Sequence, residues 1–165
     1  MLTRDAQPID FVSILKLNKQ SENFLDSLSL ERLVRLHNEA AYHRLVEING
    51  NVAAFLLAFS ESADYHYPTY LWFVEHFEKF IYIDRVVVSL SQQGRGIGKL
   101  LYEDLLSFAK ANNTALITCE FDVVPPNEIS RRFHERFGFK EVSTLLVGAY
   151  EKQVSLQALS VEMLN

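Results

Sequence analysis

The sequence predicts an α/β (α+β) fold in which one mixed β-sheet is flanked by helices on both faces. The first observation behind this prediction is the order of hydrophobic patterns, which alternate between strand and helix periods as β-α-β-β-(α)-β-α-β-α-β-β. The second is that 48% of the 165 residues are hydrophobic, which is enough to bury a core without metals or disulfides. We therefore expect residues 1–165 to form a single domain.

The N-terminal third predicts a strand, a helix and a hairpin. Residues 9–17 have strand character, and a helical pattern follows Ser29, whose residue type commonly caps helix N-termini. Asn49-Gly50 tolerates the positive φ angles of a tight turn. This turn predicts a hairpin with strands at 44–48 and 52–59.

The rest of the chain predicts alternating strands and helices. The predicted elements are, in order, a buried strand at 80–88, a helix at 99–111, a strand at 115–121, a helix at 127–137 closed by Gly138, and a final hairpin of strands at 140–147 and 152–159.

Charge and cysteine content limit the function classes. The formal net charge of -5 disfavours nucleic acid as a partner, because an acidic chain repels phosphate backbones. Cys119 is a single cysteine, and no Cys/His cluster is spaced to hold a metal. The most apolar run, 52–59, is too short to span a membrane, and residues 1–17 lack the pattern of a secretory signal. We expect a soluble, cytoplasmic protein that binds neither metal nor membrane.

A glycine-rich segment, Gln93-Gly94-Arg95-Gly96-Ile97-Gly98-Lys99, joins the predicted buried strand to an amphipathic helix. N–H groups at the start of a helix bind phosphate oxygens, and glycines remove side chains that block close approach. The segment is not a Walker A loop, which requires Gly in place of Gln93 and Ser or Thr in place of Leu100. The residues alone leave two interpretations open, a diphosphate site and a tight strand-to-helix turn.

Two motifs in this chain resemble the GNAT superfamily of N-acetyltransferases. Residues 93–98 fit the CoA-binding signature Gln/Arg-x-x-Gly-x-Gly/Ala, and residues 127–139 resemble the helix Asn-x-x-Ala-x-x-Phe-Tyr-x-x-x-Gly-Phe. The chain also resembles a poorly characterised bacterial group of acetyltransferases. The resemblance implies a GNAT-like, mostly antiparallel sheet of about seven strands and the transfer of an acetyl group from acetyl-CoA to an amine.

The resemblance further implies which residues bind the donor. Main-chain amides of the glycine-rich segment would bind the CoA diphosphate, and the strand before it would pair with the pantetheine arm. The implied donor-binding residues are Val86, Val87, Val88, Gln93, Gly94, Arg95, Gly96, Ile97, Gly98, Lys99, Asn127, Ser130 and Phe133.

Acyl transfer from a thioester to an amine requires a base and an acid. His134 stands where many family members have a tyrosine thought to protonate the leaving thiolate, so it is the candidate acid. The alternative is that His134 packs or hydrogen-bonds beside the CoA sulfur without donating a proton. Glu120 is the first candidate for the base and Asp84 the second. The alternative for each carboxylate is a structural ion pair with an arginine such as Arg85.

Aromatic residues are concentrated between Tyr65 and Phe80. They either line an acceptor pocket, for which Tyr67, Tyr70 and Trp72 are the candidates, or form the packed face of a helix. The acceptor would be a primary amine of a small molecule or peptide. The sequence also permits a non-catalytic module that senses acyl-CoA, and the resemblance implies a possible homodimer.

Overall fold

The computed structural model describes residues 1–23, 25–148 and 152–161 of the chain. Its elements are β1 (Leu2–Asp5), α1 (Phe11–Lys19), α2 (Leu30–Glu39), β2 (Tyr42–Ile48), β3 (Asn51–Ser60), α3 (Pro68–His76), β4 (Ile81–Val88), α4 (Ile97–Ala111), β5 (Leu116–Val124), α5 (Glu128–Phe137), β6 (Lys140–Val147) and β7 (Lys152–Ser160), with short 3₁₀ turns at Pro8–Asp10 and Leu90–Gln92. In these described parts of the chain, no helix has the length and apolar character needed to cross a membrane.

The strands form a seven-stranded sheet in the order β1-β2-β3-β4-β5-β7-β6. β4 pairs with β5 in parallel, through Ile81↔Ile117 and Tyr82↔Thr118. The pairs β1–β2, β2–β3, β5–β7 and β6–β7 are antiparallel. The predicted mixed, mostly antiparallel sheet of about seven strands is therefore confirmed.

The segment predicted as a strand at 9–17 is helical instead. It lies in the 3₁₀ turn and α1, and the first strand is β1. Phe11, Ile14 and Leu17 are buried at intervals of three residues, which places them on one face of a helix. The strand prediction was wrong because isoleucine, valine and phenylalanine favour strands locally, whereas packing of this face against the core decides the conformation.

The predicted turn and caps are confirmed. Asn49 and Gly50 have φ angles of 51° and 78°, as a two-residue hairpin turn requires. The Ser29 hydroxyl accepts a 3.1 Å hydrogen bond from the Arg32 N–H at the start of α2. Gly138 ends α5 in the left-handed region with φ of 107°. The local chemistry of these residues therefore determined where the elements turn, begin and end.

Contacts along the chain define two compact units. The first unit is Met1–Phe59 with Asp84–Leu105, and the second is Ser60–Ile83 with Leu106–Asn165. The prediction that 1–165 is one domain stays a prediction.

In the first unit, successive residues of β2 contact helices on opposite faces of the sheet. Tyr42 donates a 2.7 Å hydrogen bond to Asp104 of α4, and Arg44 forms an ion pair with the same carboxylate. His43, between them, contacts His37 of α2. Helices therefore flank both faces of this part of the sheet.

In the second unit, aromatic side chains join helices to strands. Phe73 of α3 packs against Tyr82 of β4, with ring centroids 5.9 Å apart. Phe121 of β5 packs against His134 of α5 at 5.8 Å. These contacts attach α3 and α5 to their strands in this unit.

Candidate functional site

The predicted donor strand contains a buried ion pair. Asp84 accepts a 2.7 Å hydrogen bond from Arg85 Nε, and the two side chains are only 5% and 3% exposed. Arg85 Nη1 also donates to Asn18 Oδ1 at 3.0 Å, and Asn18 Nδ2 donates to the Asp26 carbonyl. Asp84 thus adopts the structural pairing that the sequence left open, and its role as a base stays a prediction.

The other predicted residues of this strand alternate in burial. Val87 is 1% exposed, whereas Val86 and Val88 are half-buried. The N–H of Ser89, just beyond the strand, donates to the Ala53 carbonyl at 2.8 Å. This bond attaches the end of β4 to β3 where the glycine-rich segment is about to begin.

The glycine-rich segment has the backbone of an open loop that leads into a helix. Gly94 and Gly96 have φ angles of 77° and 79°, and a Cβ built on either would meet nothing within 4 Å. α4 begins at Ile97, whose side chain is buried, so the amides of Ile97, Gly98 and Lys99 are first-turn N–H groups without an acceptor inside the helix. The main chain of this loop therefore offers open space and N–H donors to an anion.

Side chains around the loop hold its shape. Gln93 Nε2 donates to the Val88 carbonyl at 3.3 Å, and Arg95 donates to Gln92 Oε1 at 2.7 Å. Gln20, at the end of α1, accepts a 3.0 Å hydrogen bond from the Leu90 N–H. Sequence reasoning missed Asn18 and Gln20, because each bonds to a residue more than 60 positions away and no local pattern signals such a pair.

In the second unit, Asn127 acts as the N-cap of α5. Its side-chain oxygen accepts a 3.2 Å hydrogen bond from the Ser130 N–H, so Asn127 and Ser130 lie together at the first turn. Phe133 is half-buried and stacks on Phe137 with ring centroids 6.1 Å apart. The capping bond uses the side-chain oxygen of Asn127 and leaves its side-chain NH₂ group out.

His134 is buried in the last turn of α5, with 4% of its surface exposed. Its Nδ1 lies 2.7 Å from the Ser130 carbonyl oxygen and 3.2 Å from the Ser130 hydroxyl. Phe121, Phe133 and Phe139 surround the ring, with centroids 5.1 to 5.8 Å from it. Burial lowers the pKa of His134, and the hydrogen bond to Ser130 opposes that shift.

Glu120 and Cys119 are neighbours on β5. Glu120 is half-buried and lies opposite Leu156 of β7. Cys119 is buried, and burial raises the pKa of its thiol well above the ordinary value, which opposes the thiolate form that a nucleophile needs. Cys119 is therefore a core residue, as its place on the strand suggested.

The predicted acceptor residues differ in exposure. Tyr70 is 1% exposed, and its hydroxyl donates a 2.6 Å hydrogen bond to the Ser60 carbonyl. Trp72 is half-buried and stacks on His76 with centroids 3.8 Å apart, and Tyr67 is half-buried beside Tyr65. Tyr70 therefore has the packed environment of the core, whereas part of Tyr67 and of Trp72 remains exposed to solvent.

Two surface grooves occur among the residues that the structure describes. One of about 300 Å³ in the first unit is lined by polar residues that include Ser89, Ser91 and Gln92, just before the glycine-rich segment. The other, of about 390 Å³ in the second unit, is lined by Phe121, Phe139 and polar residues of α5, β6 and β7. No predicted donor-binding residue lines either groove.

Within the residues that the structure describes, no group of three or more His, Cys, Asp or Glu side chains is arranged to hold a metal ion.

Comparison with family models identifies one family. Residues 10–139 match the model described as "Acetyltransferase (GNAT) family". This range contains both motifs described above, together with every predicted donor-binding residue.

A curated relative is also similar in sequence. It is a phosphinothricin N-acetyltransferase from Streptomyces coelicolor, 33% identical over 109 residues. The match covers 66% of this chain and only 58% of that relative. The chain therefore spans little more than half of the length of this relative.

Solved structures share the fold at low sequence identity. Ard1 from Thermoplasma volcanium superposes with a TM-score of 0.79 at 16% identity, covering 96% of both chains. A putative acetyltransferase from Salmonella typhimurium, solved with its cofactor acetyl-CoA, has a TM-score of 0.75 at 16% identity and covers 98% of this chain and 94% of its own. An N-acetyltransferase from Staphylococcus aureus Mu50 has a TM-score of 0.72 at 22% identity, with 97% and 98% covered.

Proposed function

The chain belongs to the acetyltransferase (GNAT) family, and on that premise we propose that it transfers an acetyl group from acetyl-CoA to a primary amine of a small molecule or peptide. The observation that carries the proposal is the open glycine-rich loop at the start of α4. Such a loop suits a diphosphate. A bound diphosphate is stabilised by several N–H donors, by close approach of the main chain and by the positive end of a helix dipole.

Other residues of the donor site have supporting roles in this proposal. The main chain of Val86 to Val88 would pair with the pantetheine arm, and its N–H groups would stabilise negative charge on the thioester carbonyl oxygen. Asn127, Ser130 and Phe133 would contact the pantetheine. The first role is supported by the register of β4, whose pairs with β5 are at Ile81 and Tyr82, ahead of Val86 to Val88 along the strand.

The proposed chemistry requires removal of a proton from the amine and addition of a proton to the departing thiolate. His134 is the proposed acid. Glu120 is the first candidate for the base, because Asp84 already accepts a hydrogen bond from the buried Arg85 guanidinium. An ion pair of this kind is usually structural, since it keeps two charges tolerable inside a protein.

A small-molecule amine is the acceptor that we favour, because the curated relative is named for N-acetylation of phosphinothricin. Tyr67 and Trp72 are the acceptor residues that the proposal uses first, because both remain partly exposed whereas Tyr70 is buried. A homodimer and a cytoplasmic location stay predictions, and light scattering of the purified protein would check the first.

Two measurements test the proposed function. Calorimetry with acetyl-CoA should show binding, and a panel of primary amines incubated with acetyl-CoA should release free thiol with at least one member. Folded protein that takes up no acetyl-CoA would remove the proposal. Binding without thiol release from any amine would favour an acyl-CoA sensor.

A further inference from the structure

The second half of β4, which carries the proposed donor main chain at residues 86–88, is held by contacts beyond its pairing with β5. The pairs with β5 are at Ile81 and Tyr82, near the start of the strand. Two side chains from the end of α1 contact the later part of β4 and the turn that follows it. These residues of α1 and residues 84–93 all belong to the first compact unit. The end of α1 is therefore in direct contact with the segment that contains the donor main chain.

Asn18 makes the buried contact. It is 1% exposed, and its Oδ1 accepts a 3.0 Å hydrogen bond from Nη1 of Arg85, a residue that is itself 4% exposed. Its Nδ2 donates a 3.1 Å hydrogen bond to the Asp26 carbonyl, in the segment between α1 and α2. One amide group thus connects β4 to the α1–α2 segment. Both bonds resist breaking, because a buried polar group that loses its partner is left unsatisfied away from water.

Gln20 makes the second contact, just after the end of α1 at Lys19. Its Oε1 accepts a 3.0 Å hydrogen bond from the Leu90 N–H. Leu90 begins the 3₁₀ turn that ends at Gln92, and the glycine-rich segment follows directly at Gln93. The backbone at the entrance to the glycine-rich segment is therefore bonded to a side chain of the α1 end.

The two contacts lie on either side of the proposed donor main chain. Arg85 comes immediately before residues 86–88, and Leu90 follows them by two residues. We propose that Asn18 and Gln20 are positioning residues, which fix this stretch of β4 and the entrance to the glycine-rich segment before acetyl-CoA binds. This inference rests on the proposed function. Main-chain donors that are already fixed bind a ligand more tightly, because less conformational freedom is lost on binding.

Gln20 is the better residue to change first, because its side chain is exposed and its replacement leaves no buried cavity. Gln20→Met keeps the length of the side chain and removes the hydrogen-bond acceptor. We expect the acetyl-CoA Kd to rise about 2- to 10-fold, which is the usual net value of one hydrogen bond. The value of kcat at saturating substrates and the KM for the amine should stay within about twofold of the parent, because no reacting group is altered. A purely structural bond would produce no such difference between donor affinity and turnover.

Two further variants serve as the rescue and the control. Gln20→Glu has a carboxylate oxygen at the same length, which can accept the Leu90 N–H. At about 0.5 M salt, which screens the added charge, its acetyl-CoA Kd should be within about twofold of the parent at the same salt. Gln153→Met makes the same chemical change at a half-buried glutamine of β7, in the second unit, and should leave the Kd unchanged.

The role of Asn18 is tested by a matched pair of substitutions. Asn18→Asp keeps an acceptor for the Arg85 guanidinium, so it should bind acetyl-CoA like the parent. Asn18→Leu has a similar size and no polar atoms, so it should bind at least about threefold more weakly. Thermal unfolding shows whether each variant is folded. Equal acetyl-CoA affinity in folded Asn18→Asp and Asn18→Leu would remove Asn18 from the proposal.

The contact of Gln20 can also be measured without substrate. In hydrogen exchange followed by NMR on the full-length protein, the Leu90 amide should exchange faster in Gln20→Met than in the parent or in Gln20→Glu. Unchanged exchange would overturn the positioning role, as would a parental acetyl-CoA Kd in Gln20→Met or an equal rise in Gln153→Met. Failure of the parent protein to bind acetyl-CoA is a separate result, which removes the proposed function whatever the exchange of Leu90 shows.

Discussion

At the scale of single residues, the first unit contains another buried histidine, His43, which is paired with His37. The Nδ1 atoms of His37 and His43 lie 2.8 Å apart, so one must donate a proton to the other. His43 is 7% exposed, and its Nε2 is buried with no hydrogen-bond partner among the described residues. A second proton on this ring would place a charge where nothing solvates it. Burial and the neighbouring His37 together lower the pKa of His43 to about 4.

We expect His43 to make the protein less stable in mild acid. Unfolded chains protonate histidine near pH 6.5, whereas folded His43 stays neutral until about pH 4. The unfolded state therefore binds more protons between these values, and the free energy of unfolding falls as pH drops through that window. On account of His43, the free energy of unfolding should be about 3 kcal/mol lower at pH 4 than at pH 7.

Urea unfolding between pH 4.5 and 8 measures this effect. The variant His43→Phe should lose the part of the pH dependence that His43 contributes, because phenylalanine fills the site with no group to titrate, whereas the part from buried His134 should remain. His66→Gln, at a histidine whose side chain is 79% exposed, is the control and should leave the curve unchanged. Parallel curves for the parent and His43→Phe would contradict the assignment.

At the scale of elements, the sequence predicted turns and caps better than tertiary pairs. The hairpin at Asn49-Gly50 and the caps at Ser29 and Gly138 depend on the chemistry of one or two residues, so they could be predicted. Helix α1 could not, since its local composition favours a strand and only packing shows its buried face. The bond from Arg85 to Asn18, 67 positions away, also has no local signal.

The glycine-rich segment offers an element-scale test because the chain contains a matched glycine. Gly96 and Gly50 have nearly equal φ angles, 79° and 78°, and neither has an atom within 4 Å of an added Cβ. An alanine at either position should cost about 1 to 2 kcal/mol of stability through the left-handed backbone. Only Gly96→Ala should also weaken acetyl-CoA binding, because its methyl group and backbone strain act where the proposed diphosphate approaches.

Calorimetry with acetyl-CoA and urea unfolding of both variants would measure the two effects side by side. Equal acetyl-CoA affinity in Gly96→Ala and Gly50→Ala would show that the segment is only a strand-to-helix turn. That is the structural alternative that the sequence left open.

At the scale of the whole molecule, we expect one unfolding transition. β4 and α4 each contribute residues to both compact units, so loss of either unit would break a hydrogen-bonded element. The chain has a single tryptophan, Trp72, in the second unit, whereas α2 lies in the first. Trp72 fluorescence and pulsed hydrogen exchange of α2 peptides should therefore give the same urea midpoint. Exposure of α2 at clearly lower urea would show that the units unfold separately.

The division of the chain has a consequence for protein engineering. The chain passes between the units at Phe59/Ser60, Ile83/Asp84 and Leu105/Leu106, and these points lie within β3, β4 and α4. Neither unit can be obtained by a single truncation, and a split-protein reporter cut at any of these points would start with a severed strand or helix. Loop sites such as the Asn49-Gly50 turn are the better places for an inserted tag or a circular permutation.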